Sequence, residues 1–336
     1  MTTLFVATTG GHLAQLDGLS RRIPVDPDSL WVTHANQQSI SLLAGRDVIY
    51  VPYIGFHSVT GVLKAVPHAR SLLKERKITR AISTGSAIAL AYLPYLAAYG
   101  VECHYIESAA RVSAASTTGK LLRHVPGVRT HTQYPHWDDP GWHYGGSSFD
   151  VYRPRRLERR RELGDPVRVV VMVGTAAEYP FRRLIKPLAS LLGPSGTLST
   201  SLGRKVDVLW QTGCTPVGDL PIKATPFLPA AELNAALQAA DLVIAHAGTG
   251  SAMAVLDGGR FPLIATRSAR FGEAGDDHQR DLANELQRRG LARTIIDPAL
   301  VTADDLLGTL DTDIVKTDNP PPFRLNDEPT GARALS

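Results

Sequence analysis

TTGGHLAQL, Thr8 to Leu16, follows the apolar run Leu4, Phe5, Val6 and Ala7 near the start of the chain. An apolar run that ends in paired glycines and passes into helix-forming residues is a buried strand turning sharply into a helix. The device recurs: Gly85, Gly174, Gly213 and the pair Gly248 and Gly250 each follow another strand-like segment directly.

Two series of such segments run along the chain. Leu4 to Ala7, Leu30 to Thr33, Val48 to Val51, Ala81 to Ser83, Glu102 to Ile106 and Val128 to Thr132 form the first. Val167 to Val173, Val206 to Gln211, Leu242 to Ala245, Leu263 to Thr266 and Arg293 to Ile296 form the second. Helix-length amphipathic stretches separate most of them, which predicts α/β architecture with two parallel sheets covered by helices. The expected organisation is a Rossmann-like domain over 1–150, an Arg-rich linker over 151–166, a second Rossmann-like domain over 167–310, and an extended or disordered tail over 311–336 around a proline triplet. Ligands of such sheets bind at the carboxyl ends of the strands, so a cleft between two of them would be marked by these glycines.

Length and composition agree with two globular domains, since 336 residues exceed one ordinary core and 43% apolar content supports burial throughout. The net charge of +4 is modest. It suits phosphates or phospholipid surfaces, whereas nucleic-acid binding is disfavoured because no aromatic residues interleave with the cations. Cys103 and Cys214 have no zinc or CxxC spacing and read as reduced core thiols. No secretory leader pattern opens the chain, so a cytoplasmic location is expected. The apolar window Ala81 to Val101 is interrupted by Gly85, Pro94 and Gly100, and reads as strand, turn and buried helix from Ser86 rather than as a membrane span.

Several positions bear chemistry. Gly10 and Gly11 open a helix whose N-terminus favours an anion, and His12 sits where an imidazole can accept a proton; a tight turn with a capping histidine is the alternative. STGSA repeats the turn at Gly85, with Ser86 as a helix cap and packing as the simpler reading. Glu107 follows a strand and either orients or deprotonates a hydroxyl, or forms a structural ion pair with Arg111. LVIAHAGTGSAMAVL, Leu242 to Leu256, ends a strand at His246 and opens a helix with Gly248, Thr249, Gly250 and Ser251, an anion cradle that is neither GxGxxG nor a Walker loop. Asp277, His278 and Gln279 crowd the start of a later helix, offering donors and acceptors suited to a sugar, with a favourable helix-dipole placement as the plainer account.

Taken in order, these motifs resemble GT-B glycosyltransferases of family 28 type. TTGGHLAQL, STGSA and YIESAARVSAASTTGKLL are similar to the acceptor-side subunit of the dolichyl-pyrophosphate N-acetylglucosaminyltransferase. VMVGTAAEYPFRRLI, QTGCT, DLVIAHAGTGSAMAVLDGGRFPLIA and DDHQRDLANELQRRG are similar to its catalytic subunit. The fused arrangement resembles the bacterial lipid II-forming transferase and exopolysaccharide glycosyltransferases. The resemblance implies two Rossmann-like domains facing across a cleft, and inverting, metal-independent transfer of a hexose-type sugar from a UDP-sugar, with no separate cofactor. The implied acceptor is a polyprenyl-pyrophosphate-linked sugar; a small natural product, or a binding protein without turnover, are the alternatives.

By the same resemblance Gly174, Thr175, Gly213, Gly248, Thr249, Gly250 and Ser251 would hold the diphosphate. Phe227 and Leu228 would border the uracil, and Asp277, His278 and Gln279 would meet ribose or sugar. His12 or Glu107 would be the base, with Gly10, Gly11, Gly85, Ser86 and Arg111 on the acceptor side. Unlike the eukaryotic acceptor-side subunit, this sequence opens directly on its first strand. The basic, partly apolar segment His57 to Lys77 and the linker arginines are the sites where peripheral contact with an anionic membrane is expected, an ordinary solvated surface being the alternative.

Overall fold

A computed structural model describes residues 2–25, 28–55, 58–137, 139–174, 178–193 and 196–325. It divides into two compact units, one of residues 1–109, 113–148 and 320–336 and one of residues 110–112 and 149–319.

The first unit alternates β1 (Thr2–Ala7), α1 (Gly11–Ser20), β2 (Ser29–His34), α2 (Gln37–Leu42), β3 (Asp47–Val51), α3 (Val59–Glu75), β4 (Ile78–Gly85), α4 (Ala87–Ala98), β5 (Glu102–Ile106), α5 (Thr117–Leu122), β6 (Val128–Thr132) and the short β7 (His143–Tyr144). The sheet runs β3-β2-β1-β4-β5-β6-β7 with every pairing parallel. Its central strands are apolar on both faces because helices cover both: Leu4 and Val6 join the core with α3 and α4, while Phe5 and Ala7 pack with Leu13 and Leu16 of α1. The strand order reverses between β1 and β4, which brings the Gly10 and Gly85 turns to neighbouring strand ends. The window from Ala81 is β4 followed by the buried helix α4, and no helix among the described residues is long and apolar enough to cross a membrane.

The second unit contains β8 (Tyr152–Arg156), β9 (Val167–Met172), α6 (Arg182–Leu192), α7 (Thr197–Leu202), β10 (Val206–Gln211), β11 (Ala224–Thr225), α8 (Ala230–Ala239), β12 (Leu242–His246), α9 (Thr249–Asp257), β13 (Leu263–Ala265), α10 (His278–Arg288), β14 (Arg293–Ile295), α11 (Ala303–Leu307) and β15 (Thr312–Lys316). Its parallel sheet runs β11-β10-β9-β12-β13-β14, so the order reverses between β9 and β12. Each unit is thus Rossmann-like, with its glycine turns at its own switch point.

Three expectations change. The segments read as linker and tail pair as an antiparallel ribbon, β8 with β15, in which Arg155 meets Asp313 at 3.0 Å. Of the clustered arginines, Arg155 and Arg161 pair with Asp313 and Arg156 reaches Asp311 at 4.0 Å, on a strand whose mixed polar sequence gives no apolar run to read. Beyond the proline triplet the chain is anchored to the first unit: Phe323 is fully buried against Phe5 and Leu16, its N–H donates to Arg22 O at 2.9 Å, and the Arg324 N–H donates to Gly145 O at 2.8 Å. Proline keeps this segment extended, and two apolar side chains, Phe323 and Leu325, suffice to dock it. Residues 326–336 lie outside the described residues. Finally, Cys103 is buried as expected, but Cys214 is exposed because it sits in the turn after β10 and not in the sheet.

Candidate functional site

At the switch point of the first unit, Gly10 has φ 89° and caps α1, a conformation glycine adopts without a Cβ penalty. Its N–H donates to Gln38 Oε1 at 2.7 Å, so this amide is committed to the fold and not to an anion. His12 is half-buried and lies against Gly85, whose own φ is 104°; a Cβ there would come 3.2 Å from the His12 ring. His12 Nδ1 is 2.7 Å from Thr84 O. A carbonyl only accepts, so Nδ1 carries the hydrogen and the neutral ring keeps its lone pair on Nε2. Thr84 completes the clasp by donating from Oγ1 to His12 O at 2.8 Å. Ser86 does not cap α4. Its hydroxyl instead lies 3.3 Å from Thr8 Oγ1, tying the two glycine turns together.

Of the two expectations for Glu107, the ion pair with Arg111 does not form. Its carboxylate is 1% exposed, and each oxygen accepts two bonds: Oε1 from Tyr105 OH at 3.1 Å and Ser108 N at 3.0 Å, Oε2 from Ser116 N at 2.9 Å and Ser116 Oγ at 3.0 Å. Burial raises its pKa while these donors oppose the rise. Four donors to a carboxylate aimed at α5 make it a clamp for that helix. Its expected partner Arg111 groups with the second unit, where it donates instead to Asp276 Oδ2 at 2.8 Å.

In the second unit, β12 ends at His246 and α9 begins after Gly248. A Cβ on Gly248 would fall 2.3 Å from His246 Nε2, and one on Gly174 2.6 Å from its Cε1, so both backbones rest on the imidazole. Burial, reinforced by the charge of Arg267, pushes His246 down to about 3. It is therefore neutral at physiological pH, a plate beneath the cradle and not a cation in it. Thr249 and Ser251 are buried in the first turn of α9, where backbone N–H groups have no partner within the helix, and Thr249 Oγ1 has no hydrogen-bond partner. Thr175, expected beside Gly174, lies outside the described residues.

Arg267 was missed by sequence reasoning. It follows β13, is 4% exposed, and donates from Nη2 to Val173 O just before Gly174. Its Nε is buried without a partner, and no described carboxylate forms an ion pair with it, because Glu273 is held by Arg183 at 2.7 Å. Burial lowers its pKa, with Cys214 and Glu273 opposing. A buried guanidinium with a spare N–H has the chemistry to hold an anion. The only signal in the sequence was its place directly after a strand.

Gln279 is buried, and its Oε1 accepts from Arg267 N at 3.2 Å, leaving the amide nitrogen as the group it can offer. Asp277 is exposed, accepts from Ala269 N at 2.9 Å, and is lowered in pKa first by that bond. His278 is held through Nδ1 by Asp276; burial opposes the charge of Asp276, yet His278 and Arg111 bring it down to about 2. Gly213, φ 58°, turns the chain after β10, and its N–H donates to Pro226 O at 3.1 Å. Leu228 is buried, with its N–H donating to Gln211 Oε1 at 3.0 Å, whereas Phe227 is 45% exposed.

Residues 168–309 match the glycosyltransferase family 28 C-terminal domain. Among solved structures the chain resembles MurG of Acinetobacter baumannii, at 18% identity and TM-score 0.55 over 90% of this chain and 87% of that one. It also resembles the glycosyltransferase SnogD of Streptomyces nogalater, at 16% and 0.52 over 93% and 91%. The UDP-GlcNAc 2-epimerase of Methanocaldococcus jannaschii, at 9% and 0.56 over 96% and 95%, shares the architecture. No sequence among the curated proteins matches significantly. The likeness to solved structures establishes the fold, the two Rossmann-like domains of the GT-B type, and the family match is confined to the second unit, whose residues 168–309 are similar to the glycosyltransferase family 28 C-terminal domain.

Proposed function

We propose that the chain moves a hexose-type sugar from a UDP-sugar to the hydroxyl of a polyprenyl-pyrophosphate-linked sugar, with inversion and without a metal. The observation that carries the donor half is Arg267: a buried guanidinium with an unpartnered Nε, next to the glycine turn at Gly174 and near His246. A diphosphate satisfies that group and the first-turn amides of α9 together, and it supplies the negative charge that a buried cation lacks. Gly213 would add its turn, Phe227 its exposed face to the uracil, and Asp277, His278 and Gln279 the polar groups for ribose or sugar.

In the reaction, the acceptor oxygen bonds to the anomeric carbon as the bond to the UDP oxygen breaks. The leaving electron pair stays on the diphosphate, stabilised by Arg267 and the α9 amides. The acceptor proton passes to Nε2 of His12, whose tautomer is set by Thr84 O. Positioning is worth more than the base, roughly 7 to 11 kcal/mol against about 10²- to 10⁴-fold.

A lipid-linked acceptor at the inner face of the plasma membrane is supported by α3, which exposes Val59 and Leu63 alongside Lys64 and Lys74. Titrating the full chain with UDP by calorimetry tests the donor site, and organic-phase extraction of labelled product from membranes given UDP-sugars tests the acceptor. Product remaining entirely in water would reassign the acceptor to a soluble molecule.

A further inference from the structure

A concavity lies in the first unit, lined by none of the switch-point glycines. The loops after β5 and β6 and the helix α5 enclose a hollow of about 400 Å³, bounded by Lys120, Arg123, His124, Trp137, Asp139 and Trp142. These loops leave the carboxyl ends of their strands, the edge at which open α/β sheets take ligands. We infer that this hollow binds a hexose carrying a phosphate, the head of the acceptor. This assignment rests on the acceptor reading above.

Its walls are built for a sugar ring. Trp137 and Trp142 form an edge-to-face pair at 71° with ring centroids 5.0 Å apart, in which Trp142 belongs to the core and Trp137 is the more exposed ring at the wall of the hollow. An indole held this way packs against the C–H face of a hexose while leaving its hydroxyls to polar neighbours. Trp142 is 6% exposed and is braced edge-on by Tyr105 at 6.2 Å, so its face is fixed before any ligand arrives. The hollow is near the lower end of ligand pockets, about 300 to 1,000 Å³, which fits one phosphorylated hexose better than a nucleotide sugar.

The charges select an anion. Arg123 is paired with Asp139 at 2.6 Å and lies on Gly141, where a Cβ would come 2.5 Å from its Nε. Asp139 also accepts from Gly141 N at 3.2 Å, which fixes the loop bearing both tryptophans. With that pair neutralised, Lys120 and His124 remain, and neither has a side-chain partner among the described residues. Lys120 is therefore the uncompensated charge of the hollow, placed there by α5.

The clamp on α5 now has a purpose. Glu107 caps the helix through Ser116, and Gly119 lets it approach, since a Cβ there would meet Glu107 Oε2 at 2.3 Å and Trp142 at 2.8 Å. Gln15, three residues after His12, accepts from Ala109 N at 2.7 Å and from Gln133 Nε2 at 3.1 Å. Gln133 in turn donates to Glu107 O at 2.9 Å. One buried amide network thus links the helix of His12 to both loops of the hollow.

Titrating the full chain with glucose 1-phosphate, reading tryptophan fluorescence and equilibrium dialysis, tests this. Saturable binding is expected. Replacing Lys120 by Gln should weaken it about tenfold, the loss of one charge-assisted bond. Trp137→Leu should weaken glucose 1-phosphate while removing much of the fluorescence change, and both variants should bind UDP as the wild type does. A farnesyl-diphosphate-linked glucose in detergent forms the second arm. Binding of both ligands supports recognition of the shared sugar-phosphate head, and binding of only the lipid-linked one supports the same site with a lipid source. No saturable binding of either, unchanged affinity in Lys120→Gln, or equal binding of inorganic phosphate would overturn the assignment. Loss of UDP binding by the wild type, with sugar-phosphate binding intact, would instead remove the donor reading alone.

Discussion

His246 and Gly248 are in steric contact across the turn that opens α9: a Cβ on the glycine would lie 2.3 Å from the histidine Nε2. The φ of Gly248 is −99°, so any residue could adopt its backbone, and only the imidazole excludes a side chain. Gly248→Ala should therefore cost roughly 1 to 3 kcal/mol of stability through overpacking and weaken UDP binding. In the His246→Ala background the same change should cost far less. Denaturant midpoints for the four proteins of this cycle measure the coupling, and additive losses would show that the glycine has another purpose.

Arg267 is expected to separate stability from function. Its removal takes away a buried charge that has no carboxylate partner, so Arg267→Met should leave the melting temperature of the ligand-free protein unchanged or raised. UDP affinity should fall by about 2 kcal/mol or more, at least thirtyfold, because the diphosphate loses a buried cation. Calorimetry with UDP and a melting scan without it provide the comparison. A destabilised variant with normal UDP affinity would make Arg267 a structural post for Val173.

These two cases show what the sequence could and could not reveal. The parallel sheets were legible because strands buried on both faces are continuous apolar runs, and the glycine turns were legible because positive φ at Gly10, Gly85 and Gly174 leaves few alternatives to glycine. Arg267 reads like any surface arginine, since its burial depends on β9 and α10 arriving from distant parts of the chain. The same holds for Phe323, which docks on residues some three hundred positions earlier, and for Glu107, whose four donors are set by a loop and not by a periodic pattern. Expecting Glu107 to pair with Arg111 followed helical spacing where no helix forms.

Acid should destabilise the protein before its carboxylates are titrated. Burial holds His104 down to about 4 and His131 to about 3, and His246 to about 3, against an ordinary value of 6.5. Below 6.5 the unfolded chain binds protons at these sites while the folded chain does not, so stability falls as pH falls. Each contributes about 1.4 kcal/mol per pH unit between its unfolded and folded values, or about 2 kcal/mol at pH 5. Denaturation midpoints taken from pH 7.5 to 5 should decline steadily, and His104→Gln should flatten part of the decline. Midpoints constant to pH 5 would mean that these rings gain protons in the folded state.

His12 should affect turnover alone. With Thr84 O fixing the tautomer, His12→Ala removes the proton acceptor while Arg267 and the first turn of α9 keep their own supports. Turnover is expected to drop by about 10²-fold or more, within the range of a positioned base, with UDP affinity unchanged. Labelled-sugar transfer assays and UDP calorimetry on the same preparation check this. Unaltered turnover would make His12 a filler of the Gly85 turn.

Glu107→Gln distinguishes a clamp from a base. The carboxylate accepts four hydrogen bonds, and an amide can accept only at its oxygen, so its NH2 side would face the backbone N–H of Ser108 or of Ser116 donor to donor, and the Tyr105 or Ser116 hydroxyl on that side would have to turn from donor to acceptor. Loss of those buried bonds should destabilise the first unit by roughly 2 to 4 kcal/mol and loosen α5, whose N-cap is Ser116. Turnover at saturating acceptor, measured well below the lowered melting temperature, should change little, while KM for the acceptor rises because Lys120 is no longer held in place. A catalytic base would give the opposite pattern, a large fall in kcat with an ordinary melting temperature, and would return Glu107 to the chemistry.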